Sequence, residues 1–397
     1  MPEPAYDVVV VGGGPAGCSA ALHLAAEGVK VLLCEAGAYP RDKLCGEFLS
    51  PECLPLLEAL GVAPALRALG PEIITTVALT GPRGAAWETR LPAPAWGLTR
   101  RALDAALADQ ASAAGVEVWT GATVTAIRGD LATGFRVTVR GRPVDDVTAR
   151  FVVAAHGKRA ALDRALGRRF LDQPQPFVAL KRHFRGPPLP GRIELHAFPG
   201  GYCGLSALEQ AAGSGAANVC FLAHTSAWQP VAAGPESAEH FVAWMRAHSP
   251  SLDAWLGRAT PLGERWLSVA QVPFGPKPPV ESDVLMAGDA AGLIAPLAGD
   301  GIAMALRGGQ LAAAHLTAGL RGQPPQQMRA AYARAWQREF GERLRVGRFV
   351  QAVLLRPRWL ALALRLMQAV PALGTYLVTH TRDLRALPAP AGLKEKV

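Results

Sequence analysis

The sequence is poor in charge: Asp, Glu, Lys and Arg together make up 18% of its 397 residues, which excludes charge-rich disordered chains and long coiled coils. Its six cysteines, Cys18, Cys34, Cys45, Cys53, Cys203 and Cys220, lack the paired spacing of a metal site, so no metal is expected. Cys18 and Cys34 fall in apolar stretches, where a thiol behaves as a small hydrophobe. Nothing resembling a phosphate-kinase loop or a serine nucleophile elbow is present. A net charge of +9 comes without a lysine-rich tail or an aromatic-interleaved basic tract, so nucleic acid is not an expected partner. No charged leader with a cleavage site precedes the first apolar run, and a cytoplasmic, reducing setting is the expectation. The most apolar late stretch, Trp359 to Val370, is shorter than the roughly 20 residues a bilayer-crossing helix takes.

What remains is ample for an enzyme-sized globule, since half of the residues are apolar. At about 100 to 200 residues per domain, the length predicts two to three units. Tyr6 to Val11 reads as a parallel strand covered on both faces. Gly12-Gly13-Gly14-Pro15-Ala16-Gly17 follows, then an alanine- and leucine-rich helix to Glu27, and a second strand from Val29 that finishes at Glu35. This is a βαβ unit with its ligand-binding turn in the expected place. A helix from Thr99 to Ala114, strands at Gly115–Trp119, Thr123–Arg128, Gly134–Arg140 and Phe151–Ala155, and a short strand at Asp283–Ala287 read as further parts of the same unit.

The fold class is therefore α/β. A discontinuous Rossmann-type domain is expected over 1–75, 98–172 and 268–331, and an inserted, mainly antiparallel β-sheet substrate domain over 76–97 and 173–267. The inserted strands are read at Ile73–Leu79, Phe177–Phe184, Ile193–Phe198, Tyr202–Leu208 and Val219–His224. A C-terminal helical cap fills 332–397, with a basic helix over Tyr332–Arg348. The apolar segment after it either closes a substrate cavity or lies at a membrane interface beside Arg343, Arg345, Arg348, Arg356, Arg358 and Arg365.

The glycines at 12, 14 and 17 suit a tight turn, close approach of a diphosphate and close helix packing, and the following helix N-terminus favours phosphate charge. Glu35, 21 residues beyond Gly14, is placed to accept both hydroxyls of an adenosine ribose and to repel a 2′-phosphate. A second cluster, Gly288-Asp289 followed by Pro296, Gly299, Gly301 and Ile302, offers an acid for a ribityl chain and a helix start for charge developing on a flavin ring. The bland alternative for it is an Asp turn and an ordinary helix.

These pieces carry a resemblance. VVVVGGGPAG with Glu35, YPRDKLCGEFLSPE at 39–52, RRALD at 100–104 and GDAAGLIAPLAGDGI at 288–302 resemble the flavoprotein superfamily of geranylgeranyl reductases and aromatic-ring hydroxylases, particularly its geranylgeranyl-reductase-like branch. The resemblance implies non-covalent FAD held by Gly12, Gly14, Pro15, Ala16, Gly17, Glu35, Ala36, Arg41, Cys45, Arg100, Val124, Gly288, Asp289, Pro296, Gly299, Gly301 and Ile302. Arg100 would approach the diphosphate or ribityl region, Val124 the adenine, Asp289 the ribityl-phosphate. NADPH or NADH would visit only transiently as donor.

The catalytic candidates are Cys45 and His196. Cys45 lies in a Cys-Gly segment resembling the one near flavin and substrate in those reductases, with Glu47 where a second glycine is frequent; Arg41 and Lys43 are placed to favour its thiolate. His196 sits in Glu194-Leu195-His196-Ala197-Phe198-Pro199, where the reductases show an aromatic Tyr-x-Trp-x-Phe-Pro segment, and with Tyr202 and Glu209 would line a polar substrate surface. His156-Gly157 stands where many relatives have Asp-Gly, which points to a structural or cofactor-adjacent imidazole.

The leading expectation is a reductase or dehydrogenase acting on an isoprenoid, quinone or related hydrophobic secondary metabolite, by hydride exchange at flavin N5. An NAD(P)H-dependent monooxygenase of an aromatic or polyketide substrate is the alternative, and a flavin-binding sensor a third. A halogenase is disfavoured by the lack of a Trp-x-Trp-x-Ile-Pro signature. Peripheral membrane contact and an acidic acyl-carrier partner both remain open, as does the oligomeric state.

Overall fold

The computed structural model describes residues 4–81, 84–158, 160–232, 234, 236–370 and 372–374. The valine run becomes β1 (Tyr6–Val11), and Val8, Val9 and Val10 lose all solvent contact because sheet neighbours and helices cover both faces. Proline at the first helical position starts α1 (Pro15–Ala26), which returns the chain to β2 (Val31–Glu35), paired parallel to β1.

The chain then leaves this sheet through β3 (Phe48–Leu49), α2 (Cys53–Ala59), α3 (Ala63–Ala68), β4 (Glu72–Thr80) and β5 (Ala86–Gly97). It comes back with α4 (Arg100–Ala113), β6 (Glu117–Thr120), the hairpin of β7 (Thr123–Asp130) and β8 (Gly134–Arg140), and β9 (Asp146–Ala154). After α5 (Ala161–Ala165) come β10 (Phe177–Arg185), β11 (Arg192–Phe198), β12 (Gly201–Ala207) and β13 (Ala216–His224). Next are α6 (Thr225–Trp228), α7 (Ser237–His248), α8 (Pro250–Leu256) and β14 (Thr260–Ala270). The last pieces are β15 (Val280–Glu281), β16 (Val284–Met286), α9 (Gly301–Leu320), α10 (Pro325–Leu354) and α11 (Pro357–Ala369).

Two sheets result. The first has the order β15-β16-β9-β1-β2-β6, with the β7–β8 hairpin joined to β9. The second has the order β14-β10-β13-β12-β11-β4-β5-β3 and is antiparallel except where β11 runs parallel to β4. This is the expected α/β architecture of a Rossmann-type domain with an inserted sheet.

The second sheet reaches past the limits read from sequence. It takes in Phe48–Leu49, begins at Glu72 and runs to Ala270, because Glu72, Ile73 and Ile74 pair with Gly97, Trp96 and Ala95, and Gly97 and Trp96 pair on to β3. The helix that opens at Gly301 continues to Leu320, and the basic helix starts at Pro325. The expected cap extends over residues 375–397, which lie outside the described residues.

Alternation gives the second sheet two different faces. Leu180, Phe184, Phe198, Cys203, Leu205, Val219 and Phe221 point outward into an aromatic core with Phe241, Met245 and Trp255 of α7 and α8. Ala179, Ala197, Tyr202 and Leu222 point inward, into a cluster with Leu293 of the second glycine segment and Leu360, Leu364 and Met367 of α11. Lys181 and Asn218 share that inward face, since their side chains reach the backbone of Lys43 and Cys45.

Candidate functional site

The site forms where the β1–α1 turn, the end of β2, the start of α4 and the segment before α9 meet. At Gly17 a Cβ would stand 1.8 Å from the Gly12 carbonyl oxygen, so only glycine lets α1 settle on the turn. Glu35, buried at the end of β2, accepts the Gly13 amide at 2.7 Å on one carboxylate oxygen and the Gly37 amide at 2.9 Å on the other. Those bonds, with the Arg41 guanidinium on the first oxygen, fix the carboxylate and leave its second oxygen room to accept one ribose hydroxyl. Ala36 follows directly, and the Ala122 amide donates to the Glu35 carbonyl, which seats the buried Val124 beside this strand end.

Two guanidiniums gather round one fully buried carboxylate, Asp104. Arg100 makes a bidentate pair with it at 2.7 and 2.8 Å, and Arg41 approaches it at 3.7 Å while pairing with Glu35 at 3.0 Å. Nε and Nη1 of Arg41 are buried with no hydrogen-bond partner among the described residues. Beside them α1 begins at Gly14 with no side-chain cap. Orphaned cationic donors at an uncapped helix start fit a diphosphate, so the residues present suit FAD at this end.

The second bend joins the first through contact of small residues. A Cβ on Gly288 would come within 2.8 Å of the Ala16 Cβ, and the Ser19 hydroxyl donates to the Leu306 carbonyl at 2.7 Å. Gly288 and Asp289 form a short 3-10 turn, Pro296 to Ala298 a second one ended by Gly299, and Gly301 and Ile302 open α9. Asp300 accepts from Ser50 at 3.2 Å and Arg343 at 3.3 Å, which ties this bend to the segment after Cys45 and to α10.

Beneath it lies a buried polar scaffold. Lys277 donates to the carbonyls of Lys158 and Asp289 at 2.7 and 2.8 Å; burial brings its pKa down to about 8 despite the opposing charges of Asp289 and Asp163. Arg168 donates to Asp163, Ala290 and Pro278, and His156 pairs with Asp163 at 3.0 Å. Burial by itself would raise the Asp163 pKa, but hydrogen bonds and charge from His156, the Ala160 amide and Arg168 bring it to about 2. His156 thus belongs to the scaffold that carries the Asp289 turn.

Cys45 sits at the junction with the second sheet. Its thiol accepts from the Glu47 amide at 3.4 Å, its carbonyl takes the Asn218 amide group at 3.0 Å, and the Arg100 guanidinium lies against its sulfur. Arg100 therefore stands where the sequence pointed to Arg41 and Lys43; Arg41 is turned to Glu35 and Asp104. Glu47 adopts a left-handed φ of +55°, consistent with a position that glycine often fills. Its buried carboxylate binds Lys181 at 2.5 Å, His183 Nε2 at 2.6 Å and the Arg100 amide at 2.8 Å. Burial alone would raise its pKa; the His183 hydrogen bond and the Lys181 charge overcome that and hold it below the ordinary carboxylate range.

His196 is not part of this assembly. Its strand neighbours Leu195 and Ala197 turn inward, whereas its own ring is buried on the outer face beside Thr80 at 2.8 Å, Ser251 of α8 at 3.3 Å and Glu194 at 3.0 Å. Strand alternation sends it away from the glycine bends, which corrects its expected place at the substrate surface. Glu209 is likewise taken up, by the Thr99 amide and hydroxyl at the start of α4. Tyr202 does face inward, accepting the Leu297 amide at 3.1 Å, and burial raises its pKa so that the phenol stays neutral. The sequence reading passed over Lys181 and His183: with Arg182 between them, three polar residues run together in β10 and no alternation marks a face, which only the contacts to Glu47 reveal.

The comparisons agree with this geometry. Residues 5–197 match the family model described as FAD binding domain. The chain is 29% identical to menaquinone reductase of Mycolicibacterium smegmatis over 383 residues, covering 89% of this chain and 86% of that one. It is 29% identical to digeranylgeranylglycerophospholipid reductase 1 of Methanothermobacter thermautotrophicus over 331 residues, 77% of this chain and 75% of that one. The flavin-dependent brominase Bmp2 shares the fold, with a TM-score of 0.78, 22% identity and coverage of 97% and 96%. Fold and site together define an FAD-binding flavoprotein with a second, mainly antiparallel sheet. The chain is an FAD-dependent oxidoreductase similar to the menaquinone and digeranylgeranylglycerophospholipid reductases.

Proposed function

We propose that the chain reduces a lipid-soluble isoprenoid or quinone, drawing electrons from NADPH or NADH that visits transiently. The observation that carries this reading is the inward face of the second sheet: Ala179, Leu195, Ala197 and Leu222 meet Leu293 and Leu297 of the second bend, an apolar lining against the FAD segment. Both curated relatives above are reductases whose names specify prenylated or quinone compounds, which supports the same substrate class.

When bound, FAD supplies a two-electron centre that accepts and gives up hydride. The chain's part is to hold the diphosphate with Arg41, Arg100 and the α1 amides, and the ribose with Glu35. The apolar lining excludes water. At the polar end of the sheet face, His183 is held by Glu47 through Nε2, and its ring keeps 21% of its side-chain surface exposed, which suits it to pass a proton to the reduced carbon. Cys45 stands at the same junction.

The test is anaerobic. The yellow protein is reduced with NADPH or NADH, then given menaquinone or a geranylgeranyl lipid, and the product is weighed by mass spectrometry. A gain of two hydrogens supports the proposal. A product carrying oxygen from labelled dioxygen in an aerobic run would replace it with the monooxygenase reading.

A further inference from the structure

α11 carries two apolar stripes, and only one of them is used. Leu360, Leu364 and Met367 are buried, packed towards Leu79 and Trp87, and Gln368 donates to the Ala86 carbonyl. The second stripe, Trp359, Leu362 and Leu366, repeats at intervals of three and four residues along another side of the helix, and Val370 at its end and Leu373 beyond it are apolar too. These side chains are exposed, Trp359 at 57%, and Phe349 near the end of α10 is exposed at 68%. A second face of this kind on a solvent-facing helix has no role in the packing of the described chain.

Charge identifies what it meets. From Arg343 to Gly374 the sequence contains six arginines and neither aspartate nor glutamate. Arg345, Arg356, Arg358 and Arg365 are exposed around the apolar stripe. A second copy docked through a two-fold axis would bring these like charges together, and interface centres are depleted in charge. A bilayer with anionic headgroups satisfies both features, taking the apolar stripe into the acyl boundary and the arginines among the phosphates.

We propose that the outward face of α11 docks the protein on a membrane surface containing anionic phospholipid. It lies flat at the interface, since no described helix is long and apolar enough to cross a membrane. The inner stripe of the same helix belongs to the cluster on the inward face of the second sheet, so docking sets that face next to the lipid. The proposal rests on exposure and charge, and stands whatever reaction the site performs.

The test is sedimentation of the FAD-loaded full chain with vesicles of phosphatidylcholine alone and of phosphatidylcholine with phosphatidylglycerol, at low and high salt. Binding is expected to the anionic vesicles and to weaken with salt. Replacing Arg356, Arg358 and Arg365 by Gln lowers partitioning about fivefold for each charge removed. The triple change Trp359→Ser, Leu362→Ser and Leu366→Ser abolishes it, with flavin content unchanged because these side chains are exposed. Equal binding to neutral vesicles at all salts, or none to either kind, overturns the proposal. So does a dimer in solution that the serine variant converts to monomer while the parent ignores vesicles.

Discussion

Gly309 of α9 and Ala16 of α1 meet so closely that a Cβ on Gly309 would stand 2.2 Å from the Ala16 carbonyl oxygen. Through this contact the first glycine turn and the helix after the second one share a backbone-to-backbone wall. The two bends, nearly 300 residues apart in sequence, are held as one binding surface by the lack of a side chain.

Gly309→Val therefore separates the helices. A loss of roughly 3 kcal/mol in apo-protein stability is expected, the upper end of ordinary overpacking, because backbone rather than a flexible side chain blocks the new methyls. Gly308→Ala is the control: its Cβ would meet the Gly288 nitrogen at 3.4 Å, an ordinary contact. Urea unfolding midpoints and flavin content distinguish the two variants.

Glu35→Ala removes the acceptor of the Gly13 and Gly37 amides as well as the ribose ligand. Each charged hydrogen bond contributes about 1.5 to 3 kcal/mol, so FAD affinity should fall by at least tenfold. Flavin fluorescence titration checks this, and an unchanged dissociation constant would remove Glu35 from the ribose site.

Glu47→Gln leaves the buried Lys181 charge without its carboxylate and the His183 ring without its acceptor, and should cost about 3 kcal/mol or more, the range for breaking a buried pair. The pH dependence has a definite sign. The folded pKa of Glu47 lies below its ordinary 4.5, so its contribution is fully present above that value and lost as pH falls through the folded pKa. Asp163 acts in the same sense, between 3.8 and about 2. Acid unfolding midpoints of the parent and of each Asn or Gln variant measure both effects.

His183 and His196 separate catalysis from packing. His183→Gln should lower kcat by about a hundredfold with FAD content retained, in the range for losing a positioned acid. His196→Gln should leave kcat within a factor of about two and affect only stability, by about 1 kcal/mol through its bonds to Thr80 and Ser251. Equal kcat losses in both variants would contradict the assignment of opposite sheet faces. Cys45→Ser with unchanged kcat would confine that thiol to packing.

The parts of the fold legible in the sequence are those where one residue type has one physical use. The valines of β1, the glycines and proline of the first turn and the acid ending β2 all stand where periodicity and turn chemistry put them. Five strands of the second sheet were legible, β4 and β10 to β13; β3, β5 and β14 were not, nor was the order, since nothing local tells Phe48–Leu49 to pair with Gly97 and Trp96. His196 shows the limit most clearly. Its neighbours Leu195 and Ala197 face the second bend, and a single step along a strand reverses the face. The cluster of Glu47, Lys181 and His183 spans more than 130 residues, so only tertiary contact reveals it.

The most direct measurement is titration of the purified, flavin-stripped, folded chain with FAD, followed by quenching of flavin fluorescence. One FAD per chain is predicted, with affinity weakened separately by Glu35→Ala in the first turn and by Asp289→Ala in the second bend. A folded chain that binds no FAD, or one whose affinity ignores either bend, would contradict a single cofactor held by both.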